Sequence, residues 1–342
     1  MNGKLLVFIS LVFAVDAKPR NSGTLDYSAP GPYFTLPLKV GSQRTQLSVG
    51  IDGYYGAPVI YSPSSGASVS FDRSRSSTWT VADGGKSHHF EFSQGIGDGP
   101  AGNDYWQVGD LPPLTSAMFG NPDTVSYNGL YKLPQASGFI AMWAAQDDPE
   151  QKTEMQLIVE KAARPIITFH APSDLYGTHS IVIGQEDTTR CKNNWVTLPN
   201  IASLDVNNRP WTASFSGFAW GNYKKNAPTT VLFNVAADYF AGPKVHVNYI
   251  YNALGAQYSS RYAGGLVDCR KMNTAADLVF TVKGKQFSIK ASQYIKQFDS
   301  TTCLLNIYPD ELNWWTLPYF FHQNRCIKYD YATKTINIAD EK

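Results

Sequence analysis

The chain has 342 residues, of which 43% are hydrophobic and 17% are charged, and its formal net charge is +1. This composition is typical of a globular protein and argues against a largely disordered chain. Since no dense block of lysine and arginine occurs, nucleic acid is not expected as a partner.

The N-terminus has the features of a secretory signal peptide over residues 1–17. Lys4 precedes an apolar run at residues 5–15, and Val15 and Ala17 fit the small-residue pattern before a cleavage site. The run is too short to span a bilayer, although a buried strand or a short anchor is an alternative interpretation. We therefore expect an exported protein without a membrane span, located extracellularly or in a lysosome-like or gut-lumen compartment.

Short strands are predicted along most of the remaining chain. The runs that favour strands are rich in β-branched and aromatic residues, and they cover residues 34–40, 46–51, 166–170, 180–183, 278–282 and 335–338. The segment at residues 282–287 is typical of a hairpin in which Gly284 supplies the positive φ angle.

Two helices are predicted. The first begins after the capping residue Asp148 with Pro149 in its first turn, continues to Ala163 and is ended by Pro165. A second, shorter helix is expected to begin near Lys244. The fold class that follows is mainly β with few helices.

Four cysteines follow the signal peptide, and their even number in an exported chain indicates two disulfides. They are Cys191, Cys269, Cys303 and Cys326. The residues alone leave three pairings open. No CxxC spacing occurs, so we expect neither a metal site nor a cofactor.

A weak internal duplication relates two segments in the two halves of the chain. Residues 48–53 and residues 231–236 each form a hydrophobic strand that runs into a turn. The similarity gains meaning only from the motifs that flank it.

Those motifs resemble the pepsin-like aspartic protease family. Their order and spacing match the family from about Tyr27 to Ala339, with a better match in the C-terminal half. The matching segments are residues 71–79, 102–109, 137–142, 276–284, 293–295, 315–317 and 329–339.

The resemblance implies a bilobal β fold with a central cleft. The expected lobes are residues 18–198 and 199–342. Cys269 and Cys303 flank the matched hairpin as the family's C-lobe disulfide does, which leaves Cys191 to pair with Cys326.

In this family two aspartates share one proton, activate a water and polarise the scissile carbonyl. The first position aligns with Asp52, but the second aligns with Asn234. An amide does not ionise near neutral pH and cannot share a proton with Asp52. These positions therefore represent a degenerate pair.

The neighbouring motif positions are also altered. Gly53 and Val235 replace the hydroxyl residues that tie the two loops together, and Tyr54 and Ala236 replace the glycines. In the flap motif, Phe92 keeps the aromatic ring of the usual tyrosine, and Gly95 keeps the last glycine. The remaining nearby carboxylate, Asp238, lies four positions after Asn234 and is expected to point away from it.

We therefore expect a non-catalytic protein, monomeric, that holds a peptide, a protein segment or a small ligand in its cleft. The alternative is an atypical endopeptidase active at acidic pH. A purely structural or inhibitory role is a third interpretation.

Overall fold

The computed structural model describes residues 23–30, 33–93, 95–127, 136–174, 177–201, 209–259, 264–297, 299, 302–311 and 313–342. The signal peptide predicted at residues 1–17 lies outside these ranges.

Strands dominate the described chain. Those of the N-terminal half are β1 Leu25–Pro30, β2 Thr35–Val40, β3 Thr45–Asp52, β4 Val59–Ile60, β5 Thr80–Val81, β6 Ser87–Phe92, β7 Gly95–Val108, β8 Leu114–Gly120, β9 Thr124–Tyr127, β10 Gly138–Ala141, β11 Ile166–Ala171 and β12 Thr178–Ile183. Those that follow are β13 Val196–Pro199, β14 Thr212–Phe215, β15 Gly217–Trp220, β16 Tyr223–Lys225, β17 Thr229–Phe233, β18 Phe240–Pro243, β19 Gln257–Ser259, β20 Gly264–Asp268, β21 Leu278–Val282, β22 Lys285–Ile289, β23 Ile295–Gln297, β24 Thr302–Leu305, β25 Ile307–Asp310, β26 Trp314–Leu317, β27 Arg325–Asp330 and β28 Thr335–Asp340.

A nine-stranded sheet forms the first half of the molecule. Its order is β2-β3-β10-β4-β8-β7-β5, and β6 and β9 both pair with β7. Strand β2 shows why the sequence folds this way, because Leu36, Leu38 and Val40 alternate with less buried residues and are fully buried. Such period-two burial directs one face of a strand into the core.

Three smaller sheets form the second half. Their orders are β14-β17-β26-β18-β25, β16-β15-β21-β22 and β19-β20-β24-β23. The predicted hairpin lies in the second of them, where β21 and β22 pair around Lys283 and Gly284, both with positive φ. Each half therefore has its own sheets, which leaves the space between them for a cleft.

A six-stranded sheet joins the two halves. Its order, β1-β12-β11-β27-β28-β13, places early strands directly beside the last two strands of the chain. The disulfide between Cys191 and Cys326 links residues 135 positions apart at this sheet. Closing so long a loop contributes about 4 kcal/mol or more in the chain-entropy model.

The second disulfide joins Cys269 and Cys303 and lies beside the β20–β24 pair. Both pairings implied by the family resemblance are therefore confirmed. The described residues contain no free cysteine.

The described residues also form four short α-helices: α1 Glu154–Glu160, α2 Lys244–Leu254, α3 Lys271–Thr274 and α4 Ala291–Tyr294. The second predicted helix is confirmed as α2. The first prediction was wrong in extent, because Pro149–Gln151 forms a separate 3₁₀ turn and α1 begins only after Thr153. The side chain of Thr153 accepts a hydrogen bond from the Gln156 N–H, so this residue caps the helix.

Within the described ranges, no helix is both long and apolar enough to cross a membrane.

Candidate functional site

Asp52 stands at the end of β3, in the middle of the molecule. Strand β10 runs parallel to β3 and brings Ala141 opposite Asp52. The Met142 N–H donates to the carbonyl of Asp52 over 2.7 Å. The aspartate is only 2% exposed, so the sheet holds it in a buried position at the head of a loop.

Asn234 occupies the equivalent position in the second half. It follows β17, which has β26 as its parallel neighbour, with Phe233 opposite Leu317. The Asn234 N–H donates to the carbonyl of Leu317 over 2.9 Å, and the residue is 6% exposed. The duplication predicted from residues 48–53 and 231–236 therefore corresponds to two strand ends with the same parallel support.

The two loops touch through their backbones. A Cβ atom placed on Gly53 would lie 2.9 Å from the carbonyl oxygen of Phe233 and 3.1 Å from the Cα atom of Asn234. Any side chain at this position would therefore push the loops apart. Val235 and Ala236 are 1% and 2% exposed and fill the far side of the contact. Close packing of small residues thus joins the loops where the family motif uses hydroxyl groups.

The carboxylate of Asp52 is fixed by hydrogen bonds. Its Oδ1 atom accepts from the backbone N–H groups of Tyr54 and Tyr55, over 2.9 and 3.1 Å. The flap adds two donors, because Ser93 donates its N–H to Oδ2 over 2.6 Å and its hydroxyl to Oδ1 over 2.8 Å. The surviving aspartate is therefore held in one orientation although the loop hydroxyls are absent.

The side chain of Asn234 faces the same hydroxyl group. Its Oδ1 atom accepts from the Ala236 N–H over 3.0 Å, which fixes the amide, and its Nδ2 atom donates to the Ser93 Oγ over 3.1 Å. Ser93 Oγ therefore lies between the two side chains, donating to one and accepting from the other. We call this arrangement of Asp52, Ser93 and Asn234 the serine bridge.

Burial raises the pKa of Asp52 above its ordinary value, and the hydrogen bonds from Ser93, Tyr54 and Tyr55 oppose this rise. Desolvation favours the neutral acid because a charge is costly in a poorly solvated place. The hydrogen-bond donors stabilise the ionised form, so they reduce the rise in the pKa without cancelling it.

Ser93 belongs to the tip of the flap formed by β6 and β7, and sequence reasoning did not identify its role. The available signal was a hydroxyl residue at a position where the family motif has glycine. Gln94, the next residue, lies outside the described residues.

The predicted flap residues support this tip. Phe92 is 2% exposed and stacks on Phe139, with ring centroids 5.3 Å apart. A Cβ atom on Gly95 would lie 2.2 Å from the carbonyl oxygen of Ser126, so only glycine allows β7 to pair with β9 there. The flap is therefore packed against the first half while Ser93 reaches the site.

Tyr54 and Tyr55 form the wall next to Asp52. Both are half-buried, and their rings meet edge to face at 5.1 Å. The carbonyl of Tyr54 accepts a hydrogen bond from the Trp143 indole over 3.0 Å. Tyr54 is thus tied to the irregular segment that follows β10.

Asp238 is not brought into the serine bridge. None of the described hydrogen bonds to Asp52 comes from it, and the charge that acts on it is Lys296. Burial raises the pKa of Asp238, and the nearby Lys296 opposes the rise. This carboxylate therefore belongs to a separate pair at the edge of the second loop.

No group of three or more histidine, cysteine, aspartate or glutamate side chains that could hold a metal ion occurs in the described part of the chain.

Comparison with known protein families identifies the family of this chain. Residues 34–341 match the family described as eukaryotic aspartyl protease. The chain belongs to this family. The bilobal pepsin-like fold predicted from the sequence is thereby confirmed. That Asp52 and Asn234 align with the family's two aspartates stays a prediction from the sequence.

Curated relatives agree with this assignment. The chain is 23% identical to Aspartic protease 17 of Caenorhabditis elegans over 281 residues, which cover 79% of this chain and 70% of the relative. It is 24% identical to Aspartic protease 1 of the same organism over 283 residues, which cover 79% and 69% of the two chains. A shorter match, 24% identical over 141 residues, links it to Aspartic protease 10, with 40% and 31% covered.

Proposed function

We propose that this chain is a secreted, non-hydrolytic homologue of the aspartic proteases that holds a peptide or protein segment in the cleft between its lobes. The single observation that carries the proposal is the serine bridge. Its consequences for hydrolysis and for binding can be derived from the hydrogen-bonding capacity of its three side chains.

Hydrolysis by this fold requires a water held between two carboxyl groups, one charged and one protonated. Asn234 can only donate through its Nδ2 atom and accept through its Oδ1 atom, and the latter is already engaged by Ala236. It neither takes up nor releases a proton. Asp52 can take a proton from an attacking water and pass it to the leaving amine, but Asn234 can only donate a hydrogen bond to the scissile carbonyl. The acid that protonates the carbonyl oxygen during the attack is therefore missing.

The place between the two side chains is also filled. Ser93 Oγ lies 2.8 Å from Asp52 Oδ1 and 3.1 Å from Asn234 Nδ2, which are the hydrogen bonds that a bridging water would make. With the flap in this position, the hydroxyl replaces the nucleophile. Loss of the second acid and occupation of the bridging position act in the same direction.

The same groups suit the binding of a neutral peptide bond. When the flap lifts, Asp52 offers an acceptor and the Asn234 Nδ2 atom offers a donor. A peptide group has one N–H donor and one carbonyl acceptor, so it can satisfy both side chains without any proton transfer. A ligand of this kind replaces the hydrogen bonds of Ser93 instead of leaving buried polar groups unpaired.

Export is supported by the two disulfides, which are typical of proteins in oxidising compartments. Together with the signal peptide expected at residues 1–17, they favour an extracellular or lysosome-like location.

The alternative is an atypical endopeptidase that works at acidic pH. It is favoured by the retention of Asp52 in a buried, hydrogen-bonded position with a raised pKa, and by the names of the relatives. In that case a base would remain, and the acid would have to come from elsewhere.

Two assays on the purified chain separate these functions. Unfolded haemoglobin or casein is incubated with the protein across the acidic range, with and without a pepstatin-like inhibitor, and the products are analysed by mass spectrometry. Fluorescent peptides from a casein digest are titrated with the same protein by anisotropy. We expect binding without cleavage, whereas inhibitor-sensitive turnover would establish the endopeptidase.

Ser93→Ala tests whether the peptides enter at the serine bridge. Removing a hydroxyl that competes with the ligand should strengthen peptide binding by roughly three- to tenfold, since a net hydrogen bond contributes about 0.5–1.5 kcal/mol. The exposed Ser64 provides the matched control, and Ser64→Ala should leave the affinity unchanged. Equal affinities for wild type, Ser93→Ala and Ser64→Ala would place the peptides elsewhere.

A further inference from the structure

A pocket of about 390 Å³ lies beside the flap. It is an open pocket lined by the loop after Asp52, by β6 and by Trp143. It adjoins the serine bridge, because Tyr55 lines the pocket and also donates its backbone N–H to Asp52. A peptide lying over Asp52 would therefore have a side chain within reach of this pocket.

Two aromatic residues form one wall. The Trp143 indole is fixed by its hydrogen bond to the carbonyl of Tyr54, and it lies directly over Gly56. A Cβ atom on Gly56 would come within 1.8 Å of Trp143 Cζ2, so the glycine makes room for the ring. Tyr55 is held by its edge-to-face contact with Tyr54. The wall thus consists of rings whose positions are set by the loop.

The β6 segment that lines the pocket carries a charged residue. Strand β6 alternates, so Phe90 is buried against Gly120 while His89 and Glu91 lie on the exposed face. His89 is paired with Asp98 over 2.9 Å. Glu91 makes no ion pair or side-chain hydrogen bond with any other described residue. Its negative charge at the rim of an aromatic pocket is therefore uncompensated within the described chain.

We propose that this pocket binds a basic side chain of the peptide held in the cleft, arginine in preference to lysine. A cation is attracted both by the faces of aromatic rings and by a carboxylate. Arginine fits best because its planar guanidinium can stack on an indole while it donates to Glu91, and its methylene stem packs on apolar surface. The volume lies at the lower end of the range for ligand pockets, which suits one side chain. This inference rests on the proposed binding of peptides.

The test uses two capped amino acids as probes, so that it does not depend on the rest of the cleft. N-acetyl-arginine methylamide and N-acetyl-citrulline methylamide have nearly the same shape, but only the first carries a charge. Each is titrated into the full chain by NMR, with the indole N–H of Trp143 assigned through Trp143→Phe. We expect saturable shifts of that signal with the arginine probe, and at least fivefold weaker binding of citrulline.

Variants locate the source of the preference. Glu91→Gln should weaken binding of the arginine probe by about two- to fivefold, in the range of an exposed charge pair. Tyr55→Leu should weaken it by a smaller factor through loss of one ring face. The exposed Glu150 lies outside the pocket, so Glu150→Gln should have no effect.

Each outcome decides the proposal. Equal binding of both probes, no binding of either, or an arginine preference that is undiminished in Glu91→Gln would overturn it. If casein peptides bind but the arginine preference is absent, the pocket assignment fails and the proposed function stands. If the preference is found but no peptide binds, the pocket assignment stands and the proposed function fails.

Discussion

The two loops at the centre of the cleft have the same kind of backbone support but carry different side chains. Asp52 and Asn234 each end a strand that has a parallel neighbour, β10 in the first half and β26 in the second. Each side chain accepts a hydrogen bond from the backbone N–H two residues later. Only one of them can ionise. Strand pairing and burial therefore support the same backbone geometry beneath an aspartate and beneath an asparagine.

Ser93 also makes different hydrogen bonds with the two loops. It donates both its N–H and its hydroxyl to the first loop, but it only accepts from the second. The flap is thus fastened mainly to the loop that has kept its charge. Three predictions test this comparison, and they follow in order of decreasing expected effect.

The largest effect is expected when the second loop is given the chemistry of the first. Asn234→Asp combined with Ser93→Gly restores a carboxyl pair and clears the position between them. Turnover of unfolded casein at acidic pH should rise by about 10²- to 10⁴-fold over Ser93→Gly alone, the usual contribution of a positioned acid–base group. The rate is measured from newly formed amino groups.

The single variant Asn234→Asp serves as the control for this prediction. Its turnover should remain weak because the Ser93 hydroxyl still occupies the bridging position. Full recovery in the single variant would show that neither Ser93 nor the altered residues Gly53 and Val235 obstruct the reaction. No turnover in the double variant would assign the dominant defect to the missing loop hydroxyls.

A smaller effect is expected where the loops touch. Gly53→Ala places a methyl group 2.9 Å from the carbonyl oxygen of Phe233, so the loops must separate. We expect a loss of about 1–3 kcal/mol in the free energy of unfolding, as is typical of overpacking. Urea titration followed by tryptophan fluorescence measures it.

Ala57 lies on the same loop and is exposed, which makes Ala57→Ser the matched control. That variant should change the stability by no more than about 0.5 kcal/mol. If Gly53→Ala were equally harmless, the contact between the loops would not contribute to stability.

The third prediction concerns Asp52→Asn, which gives the first loop the amide of the second. Its diagnostic quantity is the pH dependence of the free energy of unfolding. Since burial raises the pKa of Asp52 above 3.8, the folded state binds this proton more tightly than the unfolded chain does. The resulting stabilisation is fully present below pH 3.8 and is lost as the pH rises through the folded-state pKa. Asparagine does not titrate. The stability of Asp52→Asn relative to wild type should therefore increase as the pH rises from 3.8 through the folded-state pKa of Asp52.

The comparison is made by urea unfolding of both proteins at a series of pH values. Glu154, whose pKa is raised by burial to about 7, titrates in both and cancels from the difference. The new amide also faces the Ser93 N–H, which lowers the stability of the variant by a constant amount. A difference between the proteins that stays constant with pH would contradict the raised pKa of Asp52.

Most of the scaffold was predictable from the sequence because its signals are local. The alternation of Leu36, Leu38 and Val40 predicts β2, and Gly284 marks the hairpin between β21 and β22. The first helix was predicted too long because Thr153 competes with Asp148 as the cap, and only the latter is followed by proline. Local patterns do not determine which of two caps starts the helix.

Motif position in the sequence also predicts Asp52 and Asn234 as the altered pair, and this assignment stays a prediction. The serine bridge was not predicted, because it depends on how far the flap descends, which is set by the packing of Phe92 on Phe139. The aromatic pocket was missed for a similar reason. Trp143 and Glu91 lie more than fifty positions apart, and only the folded chain brings them to the same pocket.

A crystal structure of the unliganded protein tests the central claim most directly. The account predicts that Ser93 Oγ lies within hydrogen-bond distance of both Asp52 Oδ1 and Asn234 Nδ2, as in the contacts of 2.8 and 3.1 Å found here. A raised flap with an ordered water held between Asp52 and a second ionisable carboxyl group would contradict it.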